Sequence, residues 1–202
     1  MDRSLGIYNF SRVVPRPFGA ANWVTLARAV FALSLLTWAL ATLLSGAVPM
    51  PAWRWVIAMG AVAALCLDGV DGYLARRFEN ATPFGARFDM ETDALTMLAL
   101  ALMVLAAGQV GPWVLSGGLM RYIFVLGGWM WPAFARPLPR CKRRQIACVV
   151  QMAALIVTLL PPLSPAGASA ICLVGLAFLS YSFGADVVWL ARREAVESEA
   201  RG

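Results

Sequence analysis

Four aspartates, Asp68, Asp71, Asp89 and Asp93, stand within 26 residues of one another in a chain whose neighbouring stretches are almost entirely hydrocarbon. Carboxylates offer two kinds of chemistry. They bind hard cations such as Mg²⁺, Mn²⁺ or Ca²⁺ through oxygen, and they accept protons. Asp68 and Asp71 are three residues apart and Asp89 and Asp93 four apart, so each pair shares one helical face. A short turn with Pro83 and Gly85 separates the pairs, and a helix–turn–helix hairpin is expected to bring all four carboxylates together. Two divalent ions about 3.5–4 Å apart in such a site would clamp a phosphoryl displacement. Gly69 and Gly72 weaken a helix by roughly 1 kcal/mol each, which fits close approach of a phosphate or nucleotide beside Asp71. Arg76, one turn beyond Gly72, presents a fork suited to a diphosphate. Glu79 and Glu91 fit a plainer role, capping helices or pairing with loop arginines.

An ionised Asp near the middle of a membrane helix costs about 2.5–3.5 kcal/mol, so such residues pair, bind ions or line a wet cavity. The elements that must hold them are membrane helices. Hydrophobic residues are 60% of the 202 and charged ones 14%, with a mean hydropathy of +0.71. That balance belongs to a polytopic membrane protein of one domain. The net charge of +6 sits mostly in short loops, where topology accounts for it and nucleic acid is not needed. Cys66, Cys141, Cys148 and Cys172 lack CxxC spacing and read as small hydrophobes rather than zinc ligands or disulfides. The chain has no histidine, which excludes an imidazole base, a phospho-histidine intermediate and any His metal ligand.

Six apolar segments are long enough to span about 30 Å of hydrocarbon: Trp23–Leu44, Trp53–Arg76, Asp89–Gly108, Trp113–Trp131, Gln145–Leu160 and Ser169–Leu190. Gly46 to Pro51, Pro83 to Gly85, Gly108 to Pro112, Pro132 to Pro139 and Pro161 to Gly167 break them. Tryptophans such as Trp53, Trp113 and Trp131 cluster at segment ends as an interfacial belt. Arginines and lysines precede the first segment and follow the second, fourth and sixth, while the other connections contribute only Arg54. The positive-inside rule therefore puts both termini and the acidic run on the cytoplasmic side of the cytoplasmic (inner) membrane. Asp2–Gly19 reads either as an amphipathic lead-in on the membrane surface or as a disordered tail; no signal peptide is expected. The fold expected is all-α, with an interfacial segment over 1–21, a six-helix membrane domain over 22–193 and a cytoplasmic tail over 194–202.

The pattern Asp68-x2-Asp71-Gly72-x2-Ala75-Arg76-x8-Gly85-x3-Asp89-x3-Asp93 resembles, at all eight defined positions, the signature of the class I CDP-alcohol phosphotransferases. The resemblance implies an integral membrane enzyme of phospholipid biosynthesis. In it Asp68, Asp71, Asp89 and Asp93 hold two Mg²⁺ or Mn²⁺ ions, and Asp93 is also the general base. Gly72, Ala75, Arg76 and Gly85 border the cytidine diphosphate. Asn22, Thr25 and Arg28 are similar to the family's Asn-x2-Thr-x2-Arg element, which closes the nucleotide pocket; Ala21 stands where proline is common. Thr25 is alternatively a hydroxyl bonded to its own helix. The implied reaction transfers a phosphatidyl group from CDP-diacylglycerol to a small alcohol with release of CMP, and the implied assembly is a homodimer among membrane lipids.

The acceptor is written more faintly. Arg121 falls inside the fourth segment and should face the bundle's cavity, paired with an aspartate or an anionic acceptor; it is followed by Tyr122 where phosphatidylglycerophosphate synthases carry an Arg-Glu pair. Lys142, Arg143 and Arg144 enter the fifth segment, either to receive an acceptor phosphate or as positive-inside anchors. Asp186 in the sixth segment is expected to pair with an arginine. A divalent-cation transporter built on the aspartates is the rival reading, against which stands the anion-binding Arg76. A catalytically silent scaffold has no use for the intact set of acids.

Overall fold

Among the described residues, Leu- and Ala-rich runs punctuated by Pro and Gly fold into six α-helices. They are α1 (Ala20–Ser45), α2 (Pro51–Arg77), α3 (Pro83–Ala106), α4 (Leu115–Met130), α5 (Lys142–Thr158) and α6 (Pro165–Glu199), with one 3-10 turn at Pro112–Val114 ahead of α4. This computed structural model describes residues 20–77, 83–130 and 141–199, with side chains over 23–69, at 85, and over 87–128 and 141–193. The segment expected over 1–21 lies outside the described residues except for its last two, which open α1. Beyond 193, where a tail is expected, α6 continues to Glu199.

The punctuation acts as the physics of helix ends requires. Pro51, Pro83 and Pro165 each take the first helical position, where a missing N–H costs nothing. After α3, Gly108 adopts a left-handed φ of 66°. Its N–H donates to the Leu105 carbonyl at 2.9 Å, and the next N–H, from Gln109, reaches back to the Val104 carbonyl at 3.3 Å. That pairing ends a helix cleanly at a residue without a Cβ.

α3 is the central post. Ala99, Leu100, Ala101, Met103 and Val104 are fully buried, and α1, α4 and α5 all pack on this helix. The contact of α4 is close because Gly118 has no side chain: a Cβ there would lie 2.7 Å from the Leu98 Cα. α5 lies along α6, and α2 reaches both α1 and α5. Because successive helices run in opposite directions, the start of α1, α3 and α5 and the end of α2, α4 and α6 gather at one end of the bundle. At the other end Arg54, in the first turn of α2, donates to the carbonyls just past α5, that of its C-cap Leu159 at 3.0 Å and that of Leu160 at 3.4 Å. The single charge of the outer connections is thus a buried helix cap.

Among the described residues three helices are long and apolar enough to cross a membrane: Trp23–Ser45, Pro51–Gly69 and Pro165–Arg193. Only 33%, 28% and 28% of their most apolar windows are buried in the protein, so these helices turn most of their hydrocarbon outward. All six expected segments are helical, but α3, α4 and α5 do not qualify as spans on the same grounds. α3 opens with Arg87, Asp89, Glu91 and Asp93. Within the described residues α4 and α5 have 16 and 17 residues, or about 24–26 Å at the usual rise, short of the roughly 30 Å hydrocarbon layer.

Candidate active site

Asp68 stands near the end of α2, and Asp89 and Asp93 project from one face of the first turns of α3. α1 brings all three a common partner. α1 lies against both helices, while α2 and α3 share at most an incidental contact among the described residues. From the third turn of α1, Arg28 Nη1 donates to Asp68 Oδ1 at 2.5 Å and to Asp89 Oδ1 at 2.8 Å, and Nη2 donates to Asp93 Oδ1. The arginine side chain is 3% exposed, whereas the three carboxylates are 22%, 44% and 30% exposed. A buried guanidinium therefore backs a patch of acids that opens outward.

Charge explains why this arrangement holds. Three carboxylates whose ligand oxygens all lie within 4.8 Å of one another repel strongly unless a cation stands among them. A buried arginine, in turn, requires hydrogen-bonded anions. The planar fork of Arg28 supplies parallel donors to several acceptors at once, which a lysine point charge does not. The oxygens suit a divalent ion by the same test: they are hard donors from three side chains, already converged, and each carboxylate has a second oxygen beyond the one that Arg28 takes. Asp71 belongs to α2, but its side chain lies outside the described residues. So do those of Asn22, Gly72, Ala75 and Arg76, all of them expected site residues. Gly85 is half-buried one turn before Asp89, and Thr25 is buried one turn before Arg28. Thr92 and Thr96, also buried, donate to the carbonyls of Phe88 and Thr92 at 2.9 and 2.8 Å.

Three further ion pairs, in two groups, stand at the same end among the described residues. Arg121 of α4 makes a two-pronged contact with Glu91 of α3, with Nε reaching Oε2 at 3.3 Å and Nη2 reaching Oε1. Glu91 lies two residues from Asp89 and from Asp93, hence on a different face of α3, and it takes the role that the sequence reading left to an aspartate or an acceptor. The second group joins α5 to α6. Arg143 Nη2 donates to Asp186 Oδ1 at 2.6 Å and to the Ser182 carbonyl at 3.2 Å. Arg144 Nε stands 3.2 Å from Asp186 Oδ2. Asp186 is buried and thus finds the arginine partner expected of it, in duplicate. Asp186 Oδ2, Arg143 Nε and Ser182 Oγ have no hydrogen-bond partner among the described residues. Lys142 is exposed.

Sequence reasoning missed the Arg121–Glu91 pair and the convergence on Arg28. Each links residues 30 to 65 positions apart. The usable signal was an arginine inside an apolar segment, which demands an acid without saying which. An open groove on α5 and α6, lined by Val150, Val157, Ile171 and Val174 among others, is almost wholly apolar and offers no acid or base.

Comparison with known proteins follows the same residues. The family model for CDP-alcohol phosphatidyltransferase matches residues 18–182. A CDP-diacylglycerol–glycerol-3-phosphate 3-phosphatidyltransferase of Pseudomonas fluorescens is 37% identical over 126 residues, covering 54% of this chain and 60% of the relative. The Dictyostelium discoideum protein named "Uncharacterized CDP-alcohol phosphatidyltransferase class-I family protein 2" is 33% identical over 86 residues, 42% of this chain and 19% of the relative. The chain thus spans 60% and 19% of the lengths of these relatives. No solved structure matches it.

Proposed function

The chain belongs to the CDP-alcohol phosphatidyltransferase family, and on that premise we propose that it transfers a phosphatidyl group from CDP-diacylglycerol to a small alcohol, releasing CMP. The observation that carries the reading is the convergence of Asp68, Asp89 and Asp93 on one point at the end of the bundle. With Asp71 they are the ligands for Mg²⁺ or Mn²⁺, two ions in all. Bound there, the ions would offset the charge of the diphosphate and of the departing CMP.

The chain's own groups carry the rest. Asp93 takes the proton from the acceptor hydroxyl. The acceptor oxygen then bonds to the phosphorus nearer the diacylglycerol, and the bridging P–O bond to the cytidine phosphate breaks. Lipid product, CMP and one proton result. Gly72, Ala75, Arg76 and Gly85 border the nucleotide, with Asn22, Thr25 and Arg28 closing it from α1. An acceptor carrying a phosphate, as the name of the Pseudomonas relative indicates for that protein, would meet Arg143 and Arg144 beside Lys142, with Arg121 across the same region. The half-exposed Arg143 and Arg144, drawn together on Asp186, support this, since two guanidinium forks side by side suit a phosphate.

The bundle is read as six membrane spans over 22–193, with residues 1–21 interfacial, 194–202 as tail, and both termini and the site cytoplasmic. The positive-inside pattern and the gathering of the Arg28, Arg121 and Asp186 ion pairs at one end of the helices support that orientation. The protein acts as a homodimer in this reading. The test is release of CMP from CDP-diacylglycerol by purified protein in proteoliposomes, with alcohols and their phosphates screened as acceptors and products read by mass. EDTA should abolish turnover and Mg²⁺ or Mn²⁺ should restore it. Metal flux without CMP formation would replace this reading with that of a cation transporter.

A further inference from the structure

Arg28 draws on the same carboxylates that make the cation site. Its Nη1 and Nη2 take one oxygen from each of Asp68, Asp89 and Asp93, and these carboxylates are the set whose ligand oxygens lie within 4.8 Å of one another. A divalent ion bound there and the guanidinium therefore compete for one pool of negative charge. Two dications cancel the charge of all four aspartates. The guanidinium, 3% exposed, would then be a buried cation without an anion, a costly state that it escapes by moving to the nearest one. In a nucleotide-diphosphate site that anion is the substrate.

We propose that Arg28 is a tethered counter-ion: it holds the three carboxylates together when divalent ions are absent and passes to the substrate diphosphate when they bind. The inference rests on the metal-dependent reading above. It adds that one side chain serves the two states in turn, so that loading of metal and capture of nucleotide are coupled through α1. Without such a placeholder the acids at the ends of α2 and α3 would push those helices apart. A fixed nucleotide ligand, by contrast, would not be bound by three carboxylates at once.

The coupling has a signature of opposite signs. Removing Arg28 should strengthen metal binding, because a competitor leaves, and weaken nucleotide binding, because a ligand leaves. The full chain in detergent is titrated with Mn²⁺ while free ion is followed by electron paramagnetic resonance, and CDP affinity is measured at saturating Mn²⁺. Thermal unfolding is recorded in EDTA and in Mn²⁺. Arg28→Gln should bind Mn²⁺ about tenfold or more tightly than the unchanged protein and bind CDP about tenfold or more weakly. Its unfolding temperature should fall in EDTA and recover with Mn²⁺. If Arg28→Gln does not stay folded even with Mn²⁺, Arg28→Met decides by the same comparison, since methionine keeps much of the side chain's length but none of its charge. Mn²⁺ affinity that does not rise, or CDP affinity that does not fall, overturns the counter-ion role while leaving the metal site standing. No Mn²⁺ binding to any form, the unchanged protein included, overturns both.

Discussion

Arg54→Met removes the cap that α2 places on α5 and leaves the rest of the bundle's contacts alone. Arg54 is 7% exposed, and methionine fills its space without donors. The 3.0 Å bond to the Leu159 carbonyl is a full charge-assisted hydrogen bond, worth about 1.5–3 kcal/mol. The 3.4 Å contact with Leu160 is at the edge of the useful range and adds little. A cation beside the exposed carbonyls of a helix C-terminus contributes about 0.3–1 kcal/mol more. Against these stands the recovered cost of keeping a charge out of water, so the net loss is about 2–3 kcal/mol. For a chain of this size that lowers the unfolding midpoint by about 4–12 °C, read by size-exclusion after stepped heating in detergent. Asp68 lies fourteen residues further along α2, or about 21 Å, so turnover at temperatures well below the midpoint should be unchanged. An unaltered midpoint would refute the capping role. Turnover lost while the protein is still folded would refute the separation of this end from the site.

Asp93→Asn should cut CMP release by about 10²–10⁴-fold while leaving folding and CDP binding largely intact; rates like those of the unchanged protein would sink its assignment as base. Replacing both Arg143 and Arg144 with Gln should raise the KM for a phosphorylated acceptor more than that for CDP-diacylglycerol, and equal effects on the two would count against an acceptor role. Gly118→Ala puts a methyl group 2.7 Å from the Leu98 backbone, so α4 must move off α3 at a cost of about 1–3 kcal/mol. An unchanged melting temperature in that variant would refute the close packing of α4 on α3.

The helices were legible because their signals are local. Apolar runs bounded by Pro and Gly coincide with α1 to α6, and Gly108 ends α3 where the sequence breaks. The spacing of Asp89 and Asp93 dictates a shared face whatever packs upon it. Asp186 demanded an arginine for the same elementary reason that any acid in a hydrocarbon segment does, and Arg143 and Arg144 answer it. Partner identity was not legible. Glu91 read as a cap or a loop partner, yet it belongs to Arg121 of α4, and Arg54 read as a stray outer charge.

The sequence by itself determined which residues carry chemistry, which family they belong to and which segments are helical, because burial of an ionisable group and helical periodicity are properties of neighbours along the chain. The tertiary structure alone decided how the acids meet. Asp68 does meet Asp89 and Asp93, but it is α1, lying against both helices, that supplies Arg28 to offset their mutual repulsion. Coulomb forces act through space, and nothing in local spacing says which distant cation will stand among three like charges.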